Sequence, residues 1–388
     1  MQALNVVLKF TERCNLNCSY CYYFNGLDQS FKERPALLSQ SVATNVVHFL
    51  EDGVDEMAIK KLSISIHGGE PLLMPKNNFI SICKLLTSLS TKVDDFSLHL
   101  QTNGTLLDKE WIDIFREFKI KIGLSLDGPQ EYHDKYRVYH SGHGSYNKTE
   151  KAIRLLQKEQ YDFGILSVIN PTNDPKTIYN HFIKFLGVKG IDFLWPDFTN
   201  DRPPPHTAIK YGEFISKIFE IWTSQDDNTV HIRFLNSYLN LFLGSASLIY
   251  GVGADTNKSL HLITIRGDGE LSTSDELMST DPDTVTRMNK KVNEIRLKQF
   301  FAAPIFTELD QAFINTPNEC KSCCWERICG GGSITNRFNK AKRFNNPSVY
   351  CDGLKLFFSN IFQYLMRSGI PFADVKARLL HEEVMQNT

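Results

Sequence analysis

Short apolar runs alternate with longer amphipathic stretches through the first 225 residues of the chain. The short runs have the length of buried strands, and the stretches between them have the apolar spacing of helices. Six strand–helix pairs in series predict parallel strands joined by right-handed crossovers. The pattern therefore predicts an α/β fold, either an open, partial (β/α)6 barrel or a doubly wound sheet. The predicted strands are Asn5–Phe10, Leu62–His67, Phe96–Gln101, Lys121–Asp127, Phe163–Asn170 and Ile191–Phe198. The predicted helices lie near Ser39–Glu51, Asn77–Ser90, Asp108–Phe118, Ser145–Gln160, Asp174–Leu186 and Tyr211–Ser224.

The alternation ends after about Asp226. Beyond it the sequence predicts a helix over His231–Gly253 and a hairpin that turns at Gly267–Gly269. A basic amphipathic helix over Val285–Phe300 and a helical tail over Gly353–Met366 are predicted to follow. The expected regions are a core barrel over 1–225, a bridge over 226–260, a cysteine-rich domain over 261–360 and a tail over 361–388.

Composition narrows the class of protein. The 388 residues include 43 basic and 44 acidic ones, which argues against a dedicated nucleic-acid-binding protein. Hydrophobic residues at 42% and charged residues at 22% are ordinary for a globular chain, so intrinsic disorder is not expected. The apolar runs are far shorter than a membrane span, and the first residues lack the features of a signal peptide. We therefore expect a cytoplasmic protein without membrane or nucleic-acid partners.

Three of the nine cysteines lie on one short loop after the first predicted strand: Cys14, Cys18 and Cys21. Three thiolates can hold three corners of a cubane iron–sulfur cluster and leave one iron open to substrate. A zinc knuckle that lacks its fourth ligand is the alternative, although no nearby histidine completes it. Cys83 stands alone in an apolar segment and is predicted to be a buried small hydrophobe.

The spacing C-x3-C-x2-C, with Tyr20 before the last cysteine, resembles the signature of the radical S-adenosylmethionine (SAM) superfamily. The resemblance implies a [4Fe–4S] cluster whose open iron binds SAM, and reductive cleavage of SAM to a 5′-deoxyadenosyl radical. After the second strand, Gly68, Gly69 and Glu70 resemble the GGEP motif that holds the methionine amino group. Glycines let the backbone approach a ligand closely, and a glutamate can pair with an ammonium.

A run after the fourth predicted strand extends the resemblance. It reads SLDGP, then HD, Arg137 and GHGSY, and it is similar to the peptide-modifying branch of the superfamily. That branch includes the anaerobic sulfatase-maturating enzymes and the cyclophane-forming maturases. By this resemblance Ser125 contacts the ribose, Arg137 the methionine carboxylate and Val168 the adenine. Tyr20 and Asn103 are further SAM-binding residues by the same resemblance. Ser145 is predicted to cap the following helix.

A second cysteine cluster stands near the C-terminus. By spacing alone, Cys320, Cys323, Cys329 and Cys351 could hold either zinc or an iron–sulfur cluster. The segment resembles a SPASM domain, which implies one auxiliary [4Fe–4S] cluster on these four residues.

The match to a full SPASM domain is partial, because that domain has seven cysteines and two auxiliary clusters. The cysteines of the first auxiliary cluster are absent, and Ser274 and Ser333 stand at two of those positions. Cys324 is left over, as a buried thiol or as an alternative ligand.

The ending CGGG…R…F-x-NPS-x-YC resembles that of maturases that form three-residue cyclophanes in ribosomal peptides. The leading hypothesis is therefore a carbon–carbon crosslink between an aromatic ring and a Cβ of a precursor peptide. Asp275 matches the aspartate beside the auxiliary-cluster region of related enzymes and is the predicted proton acceptor. A turn or helix-cap role for Asp275 is the alternative.

Other activities stay open at this point. Formylglycine formation on a sulfatase is the first alternative, followed by peptide epimerisation or thioether formation, and a zinc-binding interaction module is the non-enzymatic one. The expected partners are a ribosomally made precursor peptide and an external electron donor such as flavodoxin or ferredoxin. Because the cysteine loop begins at residue 14, we expect the peptide's leader to bind the barrel, the bridge or a partner protein.

Overall fold

The computed structural model describes residues 2–249 and 261–380. Within these residues the strands are β1 (Ala3–Thr11), β2 (Lys61–Gly68), β3 (Asp95–Thr102), β4 (Lys121–Ser125), β5 (Phe163–Val168), β6 (Gly190–Leu194), β7 (His231–Ile232), β8 (Leu262–Ile265), β9 (Glu270–Ser272) and β10 (Arg287–Lys291). The α-helices are α1 (Gln40–Met57), α2 (Lys76–Thr87), α3 (Lys109–Phe118), α4 (Gln130–His133), α5 (Tyr146–Lys158), α6 (Pro175–Asn180), α7 (Ala208–Gln225), α8 (Arg233–Phe242), α9 (Leu297–Phe301), α10 (Pro304–Ile314), α11 (Glu326–Cys329), α12 (Ile334–Arg337), α13 (Cys351–Arg367) and α14 (Phe372–Leu380).

The first of two compact units contains residues 2–166 and 261–307. Strands β1 to β5 lie side by side in chain order, and each is parallel to the next. A doubly wound sheet reverses its strand order at a switch point, so this consecutive order favours the barrel-type arrangement. On its other edge β1 pairs in parallel with β8, which continues through an antiparallel hairpin into β9 and β10.

The second unit contains residues 167–249 and 308–380 of the described chain. Its short strands β6 and β7 are parallel, and its longest helices, α7 and α13, pack against each other. They approach closely because each offers a glycine: a Cβ on Gly212 would lie 2.4 Å from the Gly353 carbonyl oxygen. Aromatic side chains fill the space around this crossing, with Phe357 against Phe219 and Phe234. A larger side chain at either glycine would force the helices apart.

All six predicted strands form, and each predicted helix is found, with ends that differ by up to six residues. The segment predicted as one helix over Asp174–Leu186 consists of α6 and a π turn, His181–Phe185. The hairpin at Gly267–Gly269 and the helical tail are also confirmed. The two compact units interleave along the chain, whereas the predicted regions are consecutive, and those regional boundaries remain predictions. Among the described residues, no helix combines the length and the hydropathy needed to cross a bilayer.

The helix predicted over Val285–Phe300 is wrong. The segment forms a π turn (Pro282–Thr286), strand β10 and, after a turn, the five-residue helix α9. Antiparallel pairing with β9 favours a strand here, because it provides hydrogen-bonding partners for the backbone N–H and C=O groups of β10. The Arg287 guanidinium in β10 also reaches the fully buried Asp28 carboxylate, with 2.6 Å between nitrogen and oxygen.

The helix predicted over His231–Gly253 is shorter than expected. It begins after β7 and ends at Phe242, two residues before Gly244, whose φ of +80° belongs to a left-handed turn. Residues 250–253 of that prediction lie outside the described residues, as do 250–260 of the predicted bridge and 381–388 of the predicted tail.

Ser145 stands at the N-cap position of α5, but its hydroxyl does not cap the helix. It donates instead to the Arg137 carbonyl oxygen at 2.8 Å and lies 2.9 Å from His133 Nε2. Asp134 takes the capping role, since its carboxylate accepts from the Tyr146 backbone N–H at 2.8 Å. The predicted capping role of Ser145 is therefore wrong.

Candidate active site

The three-cysteine loop lies at the C-terminal end of β1, and Cys14, Cys18 and Cys21 are all half-buried. A backbone hydrogen bond from Cys21 N–H to the Cys18 carbonyl (3.0 Å) forms a tight turn. Burial raises the pKa of the Cys14 thiol to about 12 and that of Cys18 to about 11. Both are neutral thiols without metal, so binding iron must displace their protons.

A second segment holds the cysteine loop in place through its backbone. Asn17 N–H donates to the Val138 carbonyl at 2.7 Å, and Ser19 N–H donates to the Tyr136 carbonyl at 3.1 Å. Arg137, between these two acceptors, is thereby fixed beside the loop. The predicted cluster ligands and the predicted SAM-binding arginine are therefore brought together.

Glu70 is 1% exposed at the end of β2, and its partners are neutral donors. Its carboxylate accepts from Thr102 Oγ1 (2.6 Å), the Asn103 backbone N–H (2.8 Å) and the Leu72 backbone N–H (3.1 Å). Burial nevertheless raises the pKa of Glu70 to about 7. Among the described residues no lysine or arginine pairs with this carboxylate, so a bound cation would favour its ionised form. Binding of the SAM amino group by Glu70 remains a prediction.

Gly68 and Gly69 serve the packing of the chain against the cysteine loop. Gly68 has φ of +154°, and a Cβ there would lie 2.4 Å from the Thr11 carbonyl oxygen. A Cβ on Gly69 would lie 2.2 Å from the Arg13 carbonyl oxygen. Backbone N–H groups of Gly69 and Glu70 donate to those two carbonyls, each at 3.0 Å. The glycines thus join the end of β2 to the start of the cysteine loop, in addition to the predicted role in SAM binding.

Arg137 forms a buried ion pair with Asp127, with 2.8 Å between Nε and Oδ2. The Tyr20 hydroxyl donates to the same carboxylate oxygen, and the guanidinium lies 5.4 Å from the centre of the Tyr20 ring. Asp127 therefore orients both predicted SAM-binding side chains. The aspartate belongs to the SLDGP segment, which the sequence analysis identified as a motif without assigning a role to Asp127.

The remaining predicted SAM-binding residues occupy strand ends. Ser125 ends β4, and its hydroxyl accepts from Gln101 Nε2 at 2.8 Å. The Asn103 side chain donates to Asn15 Oδ1 on the cysteine loop at 2.9 Å. Val168 is half-buried at the end of β5. Their contacts with SAM remain predictions.

Asp275 follows β9 at the start of a 3-10 turn (Asp275–Ser279), with its side chain 12% exposed. Its carboxylate oxygen Oδ2 lies 2.7 Å from Lys9 Nζ and accepts from the Tyr22 hydroxyl at 2.8 Å. The Lys9 charge and these hydrogen bonds hold the pKa of Asp275 well below its usual range despite burial. The carboxylate is therefore ionised at neutral and mildly acidic pH.

Lys9 is a buried cation that the sequence analysis missed. It is fully buried in β1, lies 4.4 Å from the centre of the Tyr23 ring and contacts His67 Nδ1 at 3.0 Å. Burial and the Lys9 charge lower the pKa of His67 to about 4, so the imidazole is neutral and its Nδ1 accepts from lysine. A lysine within the apolar run of β1 was the available signal, because a strand interior rarely holds an unpaired cation.

The four C-terminal cysteines predicted to bind a cluster line one partly open cavity. Its other walls come from α11, α13 and the segments beside them, including Gly331, Ser348 and Leu354. Burial raises the pKa of Cys329 to about 12 and that of Cys320 to about 11. The predicted auxiliary ligand set is thus gathered at one site.

Zinc and iron–sulfur alternatives differ in the geometry they need. A zinc ion requires four sulfurs that converge on one point, whereas each thiolate of a cubane binds its own iron. In the part of the chain that the structure describes, no group of three or more His, Cys, Asp or Glu side chains is arranged to hold a single metal ion.

Two cysteines and two serines that the sequence analysis singled out are outside the predicted ligand sets: Cys83, Cys324, Ser274 and Ser333. Cys83 is fully buried in α2, as predicted. Cys324 is exposed and does not line the cavity, so the buried-thiol interpretation is wrong and the ligand interpretation has no support. Ser274 is buried and Ser333 is exposed.

Anaerobic reconstitution should give about eight irons per chain, on the four-iron stoichiometry of each cubane. Cys351→Ala should lower that count by roughly half, because the auxiliary cluster loses one corner and the other cluster does not. Cys324→Ala should leave the count unchanged. Iron and sulfide analysis measures all three, and a count near twelve, or a loss of iron in Cys324→Ala, would contradict the ligand assignment.

Comparisons with known proteins agree with this geometry. Residues 8–182 match the profile of the Radical SAM superfamily. The chain is 26% identical to the cysteine-type anaerobic sulfatase-maturating enzyme of Clostridium perfringens (strain 13 / Type A), over 94% of this chain and 98% of that enzyme. It is 25% identical to the serine-type anaerobic sulfatase-maturating enzyme of Bacteroides thetaiotaomicron, over 91% and 87% of the two chains.

A solved structure, native anSMEcpe with bound AdoMet, has the same fold. The TM-score is 0.81 at 25% identity, over 94% of this chain and 99% of that one. This likeness confirms the predicted fold class, in which a mostly parallel sheet of radical SAM type is followed by a SPASM-type cysteine-rich region. Residues 8–182 are a radical SAM domain, and the chain is a radical SAM enzyme that uses S-adenosylmethionine and [4Fe–4S] clusters.

Proposed function

We propose that this enzyme modifies a ribosomally made precursor peptide by joining a Cβ to a neighbouring aromatic ring. Bound SAM and its cluster supply the radical that removes one hydrogen atom from the Cβ. Bond formation to the ring then releases one proton and one electron, so the peptide loses two hydrogen atoms in total. In this proposal Asp275 accepts the proton, and the released electron passes to the auxiliary [4Fe–4S] cluster that the C-terminal cysteines would hold. An external donor such as flavodoxin or ferredoxin supplies the electron that cleaves SAM.

The main support for the proposal is that the CGGG and NPS parts of the C-terminal motif pack together around the cysteine cavity. Gly331 and Ser348, from its CGGG and NPS parts, both line the cysteine cavity, and Ser348 N–H donates to the Gly331 carbonyl at 3.1 Å. A Cβ on Gly332 would lie 2.6 Å from the Ser348 Cβ. The two parts of the motif thus pack directly on each other, which explains why glycines and a serine occur in it. This motif resembles the ending of the cyclophane-forming maturases.

The environment of Asp275 supports its role as the acceptor. A depressed pKa makes a carboxylate a weak base, which suits only a strongly acidic proton donor. A ring that has gained a carbon substituent and lost an electron is a cation, and it releases its proton readily. Asp275 stays ionised beside Lys9 and is therefore ready to accept that proton.

Co-expression with a candidate ribosomal precursor peptide tests the proposal. We expect the peptide to lose two hydrogen atoms and to gain a crosslink between an aromatic residue and a Cβ, both located by tandem mass spectrometry. Co-expression with Cys18→Ala is the control and should leave the peptide unmodified. A peptide of unchanged mass, or a crosslink through a cysteine sulfur, would contradict a carbon–carbon bond.

Formylglycine formation is the second candidate. The similarity to sulfatase-maturating enzymes over more than nine-tenths of the chain favours it. A synthetic peptide that carries a sulfatase-type cysteine or serine tests it directly. The product would be an aldehyde that a hydrazine reagent traps, whereas a cyclophane product would not react.

A further inference from the structure

The auxiliary cavity lies beside two cations that have no carboxylate partner within salt-bridge distance among the described residues. Arg337 is 3% exposed, and Lys355 lies on α13 one turn after Cys351. Neither cation is needed for the cluster ligands themselves. Lys355 lines the cavity, and Arg337 packs against its wall, where a Cβ on Gly331 would lie 3.5 Å from Arg337 Cδ.

Arg337 is a buried positive charge held by main-chain carbonyls. Its guanidinium donates to the carbonyl oxygens of Ala312 (2.9 Å), Phe344 (3.0 Å) and Asn315 (3.4 Å). Its charge interacts with the sulfurs of Cys320 and Cys329, and burial lowers its pKa to about 10. A buried charge without a counter-ion is costly, and a negatively charged cluster bound by these cysteines would supply that counter-ion.

Lys355 contacts the site from its solvent-exposed side. The side chain lines the cavity together with Cys351, one helical turn earlier on α13, and its positive charge is attracted to the Cys351 sulfur. The acidic residues nearby are Glu326, which lines the same cavity, and the exposed Asp352. Glu326 accepts a hydrogen bond from the Thr316 hydroxyl, so its charge is fixed at the cavity wall.

Reduction adds one electron to a cluster that already carries net negative charge with its four thiolates. Nearby positive charge and N–H···S hydrogen bonds stabilise the reduced form more than the oxidised form, and so raise the reduction potential. We propose that Arg337 and Lys355 are the counter-charges of the auxiliary cluster and that they raise its reduction potential, against the opposing charge of Glu326. They act through the cluster and are positioning residues, not catalytic ones.

The test uses the full-length chain with Cys14, Cys18 and Cys21 replaced by alanine, so that only the auxiliary cluster remains. Stepwise reduction with dithionite adds one electron per cluster, with no bond or proton change, and electron paramagnetic resonance follows the reduced form. Lys355→Met should shift the midpoint potential to more negative values. Lys355→Arg, which keeps the charge, should stay near the parent.

Two further variants test whether the shift follows the sign of the charge and whether a buried charge has a larger effect than a solvent-accessible one. Glu326→Gln should shift the potential in the positive direction, because it removes a negative charge. Arg337→Met, in protein with parental iron content and circular dichroism, should give a larger negative shift than Lys355→Met, because solvent screens a buried charge less. Lys217→Met, at an exposed position of α7 outside the cavity, is the control and should not move the potential.

The result that overturns the proposal is a parental potential in Lys355→Met, or shifts of the same sign in Lys355→Met and Glu326→Gln. A parental potential in Arg337→Met protein that keeps its cluster would overturn the part assigned to Arg337. Absence of any iron–sulfur signal in the triple-alanine parent would overturn it entirely. The measurement involves no peptide, so failure of the proposed crosslinking chemistry, seen as unmodified peptide with wild-type enzyme, is a separate result.

Discussion

Cys18→Ala should abolish the reductive cleavage of SAM, with 5′-deoxyadenosine falling below detection. Cys18 is one of only three protein ligands on the loop, and a cubane with two of them is not held in place to bind SAM. The half-buried loop has no further cysteine that could substitute. Chromatographic measurement of 5′-deoxyadenosine, after reduction with dithionite, gives the result directly.

The matched control is Cys324→Ala, which removes an exposed cysteine that is outside both proposed ligand sets. It should cleave SAM at the wild-type rate. Undiminished cleavage by Cys18→Ala, in protein of native circular dichroism, would mean that the loop does not hold the cluster.

Asp275→Asn should leave SAM cleavage largely intact and lower formation of the crosslinked peptide by roughly 100-fold, within the range of about 10²–10⁴-fold that general acid–base groups contribute. An amide retains the size of the carboxylate and can still accept from Lys9, but it is a much weaker base. The ratio of crosslinked peptide to 5′-deoxyadenosine, measured by mass spectrometry and chromatography, separates the two steps.

Asp268→Asn is the matched control, since Asp268 lies in the turn of the same hairpin and pairs with Arg34 at 2.9 Å. It should crosslink the peptide at close to the wild-type rate. Because Lys9 holds the pKa of Asp275 well below its usual range, the wild-type ratio should also persist in mildly acidic buffer. Wild-type amounts of crosslinked peptide from Asp275→Asn would reduce Asp275 to a structural residue.

The sheet and the cluster ligands were predictable because local patterns specify them. Alternation of apolar runs with amphipathic stretches predicted β1 to β6, and the spacing of Cys14, Cys18 and Cys21 predicted the ligand loop. The pairing of β10 with β9 was not predictable, because the apolar spacing of this basic segment is typical of an amphipathic helix. Its strand conformation depends on a tertiary contact with β9.

Parts of the site could not be predicted from the sequence, because they depend on contacts between residues that are far apart along the chain. Lys9 and Asp275 are 266 positions apart, and only the parallel pairing of β1 with β8 brings them within hydrogen-bonding distance. Ser145 failed as a cap because Asp134 competes for the same helix end. Neither the sequence spacing nor residue preference reports such a competition.

The pairing of β1 with β8 also constrains how the chain can fold during synthesis. Until residue 265 leaves the ribosome, β1 has one open edge, and open strand edges invite pairing with other chains. The ion pair between Lys9 and Asp275 forms equally late, so the cysteine loop stays uncovered by the hairpin for most of translation. That interval is an opportunity for iron–sulfur delivery, and a chain cut before β8 should aggregate instead of yielding a smaller enzyme.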